Sequence, residues 1–336
     1  MDAGLVVAVV LAAAFATTNG LHDASNAIAT LVATRAARPF QAIVLASVFN
    51  LLGPFLVGAA VADTIGGIVT VSPSAAVEVI GSGLAAAVVW NLVTWRFGLP
   101  SSSGHALVGG LVGAGLWEGG ADAIFWGGLE GLRPVGVIGT LIALAISPPL
   151  GALGAFLLIR GLRRLATRAT RRWNAPVNTG QWVMSSALAF SHGANDAQKS
   201  VGVIAALLLA DGRIDSLSAP TWATLACALA LTAGTALGGW RIIRTVGRRI
   251  YRIQPIDGLA SQAGSAGVIF GASLGGGPVS TTQVVASSIV GVGAGRARWR
   301  HVHWAIVRQM GLAWLVTIPV AAVLAMAFLA LVQWLT

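Results

Sequence analysis

The residues best equipped for chemistry lie in the run Ser191-His192-Gly193-Ala194-Asn195-Asp196-Ala197-Gln198-Lys199. It places a carboxylate, amides, an imidazole and an amine inside an otherwise apolar stretch. A weaker copy stands in the first half, Asn19-Gly20-Leu21-His22-Asp23-Ala24-Ser25-Asn26, where Gly20, Asp23 and Ala24 match Gly193, Asp196 and Ala197. A second motif recurs as well. Pro100-Ser101-Ser102-Ser103-Gly104-His105 is echoed by Pro278-Val279-Ser280-Thr281-Thr282-Gln283. Two motifs in the same order and at nearly the same spacing indicate a duplicated chain.

Each motif implies a definite chemistry. A carboxylate deep in an apolar element is expensive and marks function by default. Asp and Asn also supply the hard oxygens that alkali cations prefer. Asp23, Asn26, Asn195 and Asp196 are therefore candidate cation ligands, with Asn19 beside them and Glu78 as a further ligand. The bland reading is structural: Lys199, three residues after Asp196 on a helix, could simply neutralise it. In the second motif a proline precedes hydroxyl residues, as at the start of a half-helix. Unpaired N–H groups and hydroxyls there suit an oxyanion. Ser101, Ser102, Ser103, Ser280, Thr281 and Thr282 are the candidate oxyanion donors, against the alternative that they only cap helices. An imidazole is the side chain whose ordinary range lies near neutral pH, so His22, His105 and His192, with Lys199, are candidate proton or substrate relays. An oxyanion beside two aspartates at low dielectric cannot stand uncompensated. Positive ions must enter with it, as metal ions or as protons, so symport is favoured over a passive anion channel.

The elements that hold these motifs are membrane elements. Of 336 residues, 56% are hydrophobic and 10% charged, with mean hydropathy +0.81. Soluble chains carry about a quarter charged residues, so the pattern is that of an all-α polytopic membrane protein. The first apolar run, Leu5 to Ala16, lacks a basic leader and reads as a retained membrane segment. The single cysteine, Cys227, permits no internal disulfide and no thiolate metal site. Five hydrophobic elements are expected in each half: 3–34, 39–62, 75–97, 101–117 and 135–160, then 178–210, 219–243, 258–275, 279–295 and 302–333. The first element of each half is long and carries its polar motif near the middle, which predicts a broken or strongly tilted helix. The third and fourth are short or glycine-rich and predict a re-entrant helical hairpin with the Pro-Ser motif at its tip, with two full spans as the alternative. An odd number of crossings per half makes the halves inverted repeats, 1–160 and 178–336, joined by a basic cytoplasmic linker at 161–177.

Arginine placement agrees. With both termini outside, 18 of the 21 Lys and Arg residues fall on the inner side, a strong positive-inside pattern. The net charge of +10 thus reads as membrane orientation rather than nucleic-acid binding. Both hairpin tips would then meet near the midplane, as at the binding site of an inverted-repeat transporter.

These motifs resemble those of the PiT-type inorganic phosphate transporters, in their bacterial low-affinity branch. Asn19 to Thr30 is similar to the N-terminal signature, Ser191 to Ser200 to the C-terminal one, and the two Pro-Ser/Thr runs to the hairpin tips. The resemblance covers nearly the whole chain. It implies cation-coupled phosphate uptake, by proton or sodium, at the plasma membrane, with no enzymatic activity and no cofactor beyond the co-transported cation. It implies phosphate contacts at Ser102, Ser103, Thr281 and Thr282, and cation contacts at Asp23, Asn26, Asn195 and Asp196. The partners are then inorganic phosphate, the cation and the bilayer, with a homodimer left open. Two departures stand out: Gln283 where a His often follows Ser-Thr-Thr, and His22 where many members have Asn. The family also includes sulfate permeases. A rival of another class is an undecaprenyl-diphosphate phosphatase, whose motif Pro100 to His105 is similar to. It lacks the substrate-binding arginine in the second motif and gives the paired aspartates no role.

Overall fold

A computed structural model describes residues 3–168, 173–238, 243, 245–297 and 299–335, without the side chains of residues 24, 25, 168, 248 and 249. Arg171, Arg172, Arg241, Arg244 and Arg298, part of the positive-inside pattern, lie outside the described residues, as does part of the 161–177 linker. The chain is built from helices α1 (Ala3–Ala33), α2 (Pro39–Leu56), α3 (Ala60–Gly66), α4 (Pro73–Phe97), α5 (Ser103–Gly119) and α6 (Gly136–Leu165). There follow α7 (Asn174–Ala210), α8 (Thr221–Leu237), α9 (Pro255–Leu274), α10 (Thr281–Gly295) and α11 (Trp304–Leu335). The all-α expectation needs one amendment, a small antiparallel hairpin of β1 (Gly128–Glu130) and β2 (Arg133–Val135). Among the described residues, α1, α2, α4, α6 and α11 are each long and apolar enough to cross a membrane.

The first helix of each half is not broken. α1 and α7 run continuously through their polar motifs. Neither contains the kind of proline that would remove a ladder bond, apart from Pro176 in the first turn of α7, where it is tolerated. Glycine costs a helix only about 1 kcal/mol relative to alanine. Most of the polar side chains find partners on neighbouring elements, so the backbone need not open. The interruption falls instead in the second element. α2 ends past Pro54 and the chain turns at Gly58 (φ 79°) before α3 begins. α8 likewise stops at Gly238 (φ 69°). Glycine takes these left-handed conformations without the Cβ penalty.

Packing is reciprocal between halves. α1 packs on α8 and α7 on α2; α5 packs on α11 and α10 on α6; α4 pairs with α5 and α9 with α10. Gly20 of α1 sits against the Leu231 carbonyl of α8, and Gly193 of α7 sits against Asn50 of α2. No Cβ fits at either crossing, which is why the matching glycines occupy both motifs.

Besides two smaller clusters, the core of the described residues is two large apolar clusters with a polar layer between. One holds Leu5, Ala8, Ala12 and Phe15 of α1 together with Val201, Ile204 and Leu207 of α7. The other holds Ala27, Ile28 and Leu31 of α1 with Leu188 and Ala189 of α7. The start of α1 therefore meets the end of α7, and the two helices run in opposite senses. Described arginines of both halves gather at one end: Arg35 and Arg252 line one cavity, Arg160, Arg163 and Arg164 another, and Arg296 joins them through Gln254. α4, at 25 residues, is long enough for a full span, whereas α5 and α10, at 17 and 15, are shorter than the roughly 20 residues a span needs.

Candidate functional site

The polar layer is where the motifs meet. α1 and α7 carry Asp23 and Asp196 at the same depth, and the loops before α5 and α10 bring the two hydroxyl tips to them. Thr282 donates its hydroxyl to Asp23 Oδ1 at 2.6 Å. The Thr281 hydroxyl lies 3.1 Å from Asp196 Oδ2 and 3.4 Å from Asp23 Oδ2, between the carboxylates. Asn26 donates its amide to both threonines, at 2.9 Å to Thr282 and 3.3 Å to Thr281. Lys199 donates to Asp196 and, at 2.7 Å, to the Val279 carbonyl of the second tip. The same ammonium is in contact range of Gly104 on the first tip. Gln283 and His105, one from each tip, approach at 3.5 Å. The expected convergence of the tips is thus observed, and all the hydroxyl and carboxylate groups in it are buried.

Two residues at matching places hold the tips. His22 Nε2 lies 3.2 Å from the Leu99 carbonyl and 3.2 Å from the Ser101 hydroxyl, while Nδ1 is 3.2 Å from Asp23. Asn195 donates to the Gly277 carbonyl and to Ser273, both at 3.0 Å, and accepts from the Val279 N–H. Asn195, expected as a cation ligand, has both amide ends engaged in fixing the second tip. His192 Nε2 stands 2.9 Å from Asp196 Oδ2, off hydrogen-bond alignment, with Nδ1 on Asn50 at 3.0 Å.

The serines divide into caps and donors. Ser102 and Ser280 accept from the N–H groups of His105 and Gln283 as N-caps, and Ser102 Oγ also lies 2.6 Å from His105 Nδ1. Ser101 donates to Thr94 at 2.9 Å. Among the described residues the buried Ser103 hydroxyl has no hydrogen-bond partner, nor has either amide atom of Asn19, one turn before Asp23. Asp23, His192 and Asp196 could hold an ion: one ligand atom of each lies within 4.8 Å of the others. Glu78 does not join them. It lines a separate apolar pocket with Val7, Ala8, Ser82 and Phe328, because it sits near the start of α4, far along that helix from the tip. Sequence reasoning missed Asn50 and Thr94. Their signal was present, a polar side chain inside an apolar run, but the partner each serves is on a distant element.

A buried pair of carboxylates meeting hydroxyl-bearing tips inside a polytopic helical bundle defines a membrane transport protein for small ions. The chain belongs to the phosphate transporter family, whose model matches residues 19–325. A relative from Rhizobium meliloti (strain 1021), named "Probable low-affinity inorganic phosphate transporter", is 41% identical over 326 residues, covering 95% of this chain and 94% of its own length. One of the same name from Bacillus subtilis (strain 168) is 38% identical over 322 residues, covering 95% and 94%. A solved structure described as "The sodium-dependent phosphate transporter" shares the fold with TM-score 0.86, at 24% identity over 99% of this chain and all of that one. The family is one of transporters, not enzymes, and the phosphatase alternative falls with that.

Proposed function

We propose that the protein takes up inorganic phosphate across the plasma membrane as a cation-coupled symporter. It alternates access between two inverted repeats, 1–160 and 178–336, with both termini outside. The reciprocal packing and the opposite senses of α1 and α7 support the inverted arrangement. The names of the relatives favour phosphate over sulfate. The name of the solved neighbour favours sodium over protons as the driving ion.

One observation carries the coupling: the Thr281 and Thr282 hydroxyls are committed to Asp23 and Asp196. A hydroxyl has one hydrogen to donate. While the carboxylates are bare, those hydrogens are unavailable to an oxyanion. A cation held by Asp23 and Asp196 competes for the same oxygens and releases the hydroxyls. Phosphate then receives them, joined by Ser103, which is already unpartnered. The cation also offsets the charge: two aspartates against one Lys199 leave no room for a further anion at low dielectric.

The test is labelled-phosphate accumulation in proteoliposomes under separately imposed sodium and proton gradients, with sulfate as competitor. A sodium gradient should drive accumulation that sulfate leaves unchanged. Phosphate that equilibrates at the same rate whatever gradient is offered would remove the coupling scheme.

A further inference from the structure

A cavity of about 800 Å³ opens at the arginine-rich end, lined by Thr34, Arg35, Tyr251, Arg252, Gln254 and His301 among others. Neither Arg35 nor Arg252 makes an ion pair among the described residues, so two guanidinium groups face the cavity without a counter-charge. Asp257, the carboxylate nearest in sequence, is held by Arg296 at 2.7 Å.

The cavity is joined to the central site by side chains that do not suit a sealed core. Asn26 and Thr30 stand one turn apart on α1, and Thr34, just past its end, stands one turn further on. At 1.5 Å per residue they span about 12 Å. Gln262 of α9 donates to Thr30 at 2.8 Å, and its carbonyl oxygen is buried without a partner. One turn on, Thr34 donates to Gln181 of α7 at 2.7 Å. Asn26, Thr30, Gln181 and Gln262 are all at most 1% exposed. The matching turns of α7, beyond Lys199, are Val203 and Leu207, both sealed in an apolar cluster. A polar file thus leaves the site toward the arginines, and its counterpart toward the other face is apolar. An orphaned buried amide oxygen is costly. A structural core would have replaced it with an apolar group.

We propose that Arg35, Arg252 and His301 form a second, weaker phosphate site, a vestibule joined to the central site by the Thr30–Gln262 and Thr34–Gln181 pairs, through which phosphate leaves at the arginine-rich end. The direction of travel rests on the symport reading above; the site itself rests on the cavity and its unpaired guanidinium groups. Arginine's fork matches a tetrahedral oxyanion. A lipid phosphate headgroup has the same chemistry, but the polar file running inward from the cavity suits a free ion, since a lipid tail cannot follow it.

The experiment is thiol labelling of Thr34→Cys by a hydrophilic reagent in nanodiscs of zwitterionic lipid, with Ala33→Cys as a second reporter. The native Cys227 is fully buried and does not compete. Phosphate at about five times its dissociation constant should slow labelling about sixfold. Protection should survive Thr281→Val, which removes a central-site donor, and vanish in Arg35→Gln/Arg252→Gln. No slowing, slowing lost with Thr281→Val, or slowing retained in the double arginine variant would each overturn the proposal. So would protection produced by adding phosphatidylglycerol and not by phosphate, which would mark a headgroup site. Labelling requires no transport, so its failure and a failed uptake assay are distinguishable.

Discussion

Thr282 Oγ1 lies 2.6 Å from Asp23 Oδ1, a bond between the second hydroxyl tip and the first helix of the other half. It ties the two halves together at the point where the proposed scheme brings phosphate and cation together. The same hydrogen serves the aspartate or an oxyanion, but not both. Under that scheme coupling needs no distant relay, because the competition is local.

Asp196→Asn is expected to abolish cation-driven uptake. The change also leaves the buried Lys199 ammonium without its carboxylate, which costs about 3–5 kcal/mol when a buried pair is broken. Asp196→Asn/Lys199→Met removes both charges and should recover most of the lost stability, read by thermal unfolding in detergent, without recovering uptake. Recovery of uptake in the double variant would reduce Asp196 to a structural partner of Lys199.

Thr281→Val keeps the side-chain shape and removes the hydroxyl set between the two carboxylates. A lost charge-assisted hydrogen bond is worth about 1.5–3 kcal/mol, so phosphate affinity should fall roughly ten- to a hundredfold. Thr281→Ser should bind nearly as wild type. Isothermal titration at saturating sodium reads both, and equal affinity in the Val variant would move the phosphate elsewhere.

If the hydroxyls change hands as argued, sodium must raise phosphate affinity, and phosphate must raise sodium affinity by the same factor. Titrating each ligand at several fixed levels of the other checks this. A coupling factor of one, at the sodium levels that drive uptake, would contradict the competition at Thr281 and Thr282.

Glu78 was a plausible third cation ligand by position in the sequence, and the structure places it in an apolar pocket with Val7 and Phe328 instead. Glu78→Gln should leave the sodium dependence of uptake within about twofold of wild type, the range expected of a substitution away from a site. A displaced sodium dependence would return it to the ion path.

The elements were largely legible because long apolar runs bounded by proline and glycine admit few readings in a membrane. Pro39, Pro73 and Pro255 each begin a helix, and Gly98 ends one in the left-handed conformation. The site's membership was legible for a related reason: Asp23 and Asp196 are too costly to bury idly. The breaks were misplaced because polar residues in mid-helix look like an opened backbone when their partners are unseen. Those partners, Asn50 for His192 and Thr94 for His22, stand on other elements. The role of Asn195 as a clamp on Gly277 and Ser273 was hidden likewise, since its type fits a cation ligand equally well.

Gly20 and Gly193 offer the sharpest check on the reciprocal packing. Each occupies the crossing of one half's first helix on the other half's second, and an added Cβ at Gly193 would meet Asn50 Cα at 2.7 Å. Gly20→Ala and Gly193→Ala should each destabilise by about 1–3 kcal/mol, the usual cost of overpacking a close contact. Helix propensity alone would favour alanine by about 1 kcal/mol, so the two accounts predict opposite signs. Unfolding midpoints in one detergent decide between them. If the crossings are equivalent, the two losses should be similar, and the double variant's loss should be close to their sum, because sites on separate helix pairs add. Gly267, whose Cβ would meet nothing, supplies the control: Gly267→Ala should hold or raise the midpoint. A stabilised Gly20→Ala or Gly193→Ala would mean that the helices do not cross as closely as drawn, and that the aspartates one turn away are not held at a common depth by these contacts.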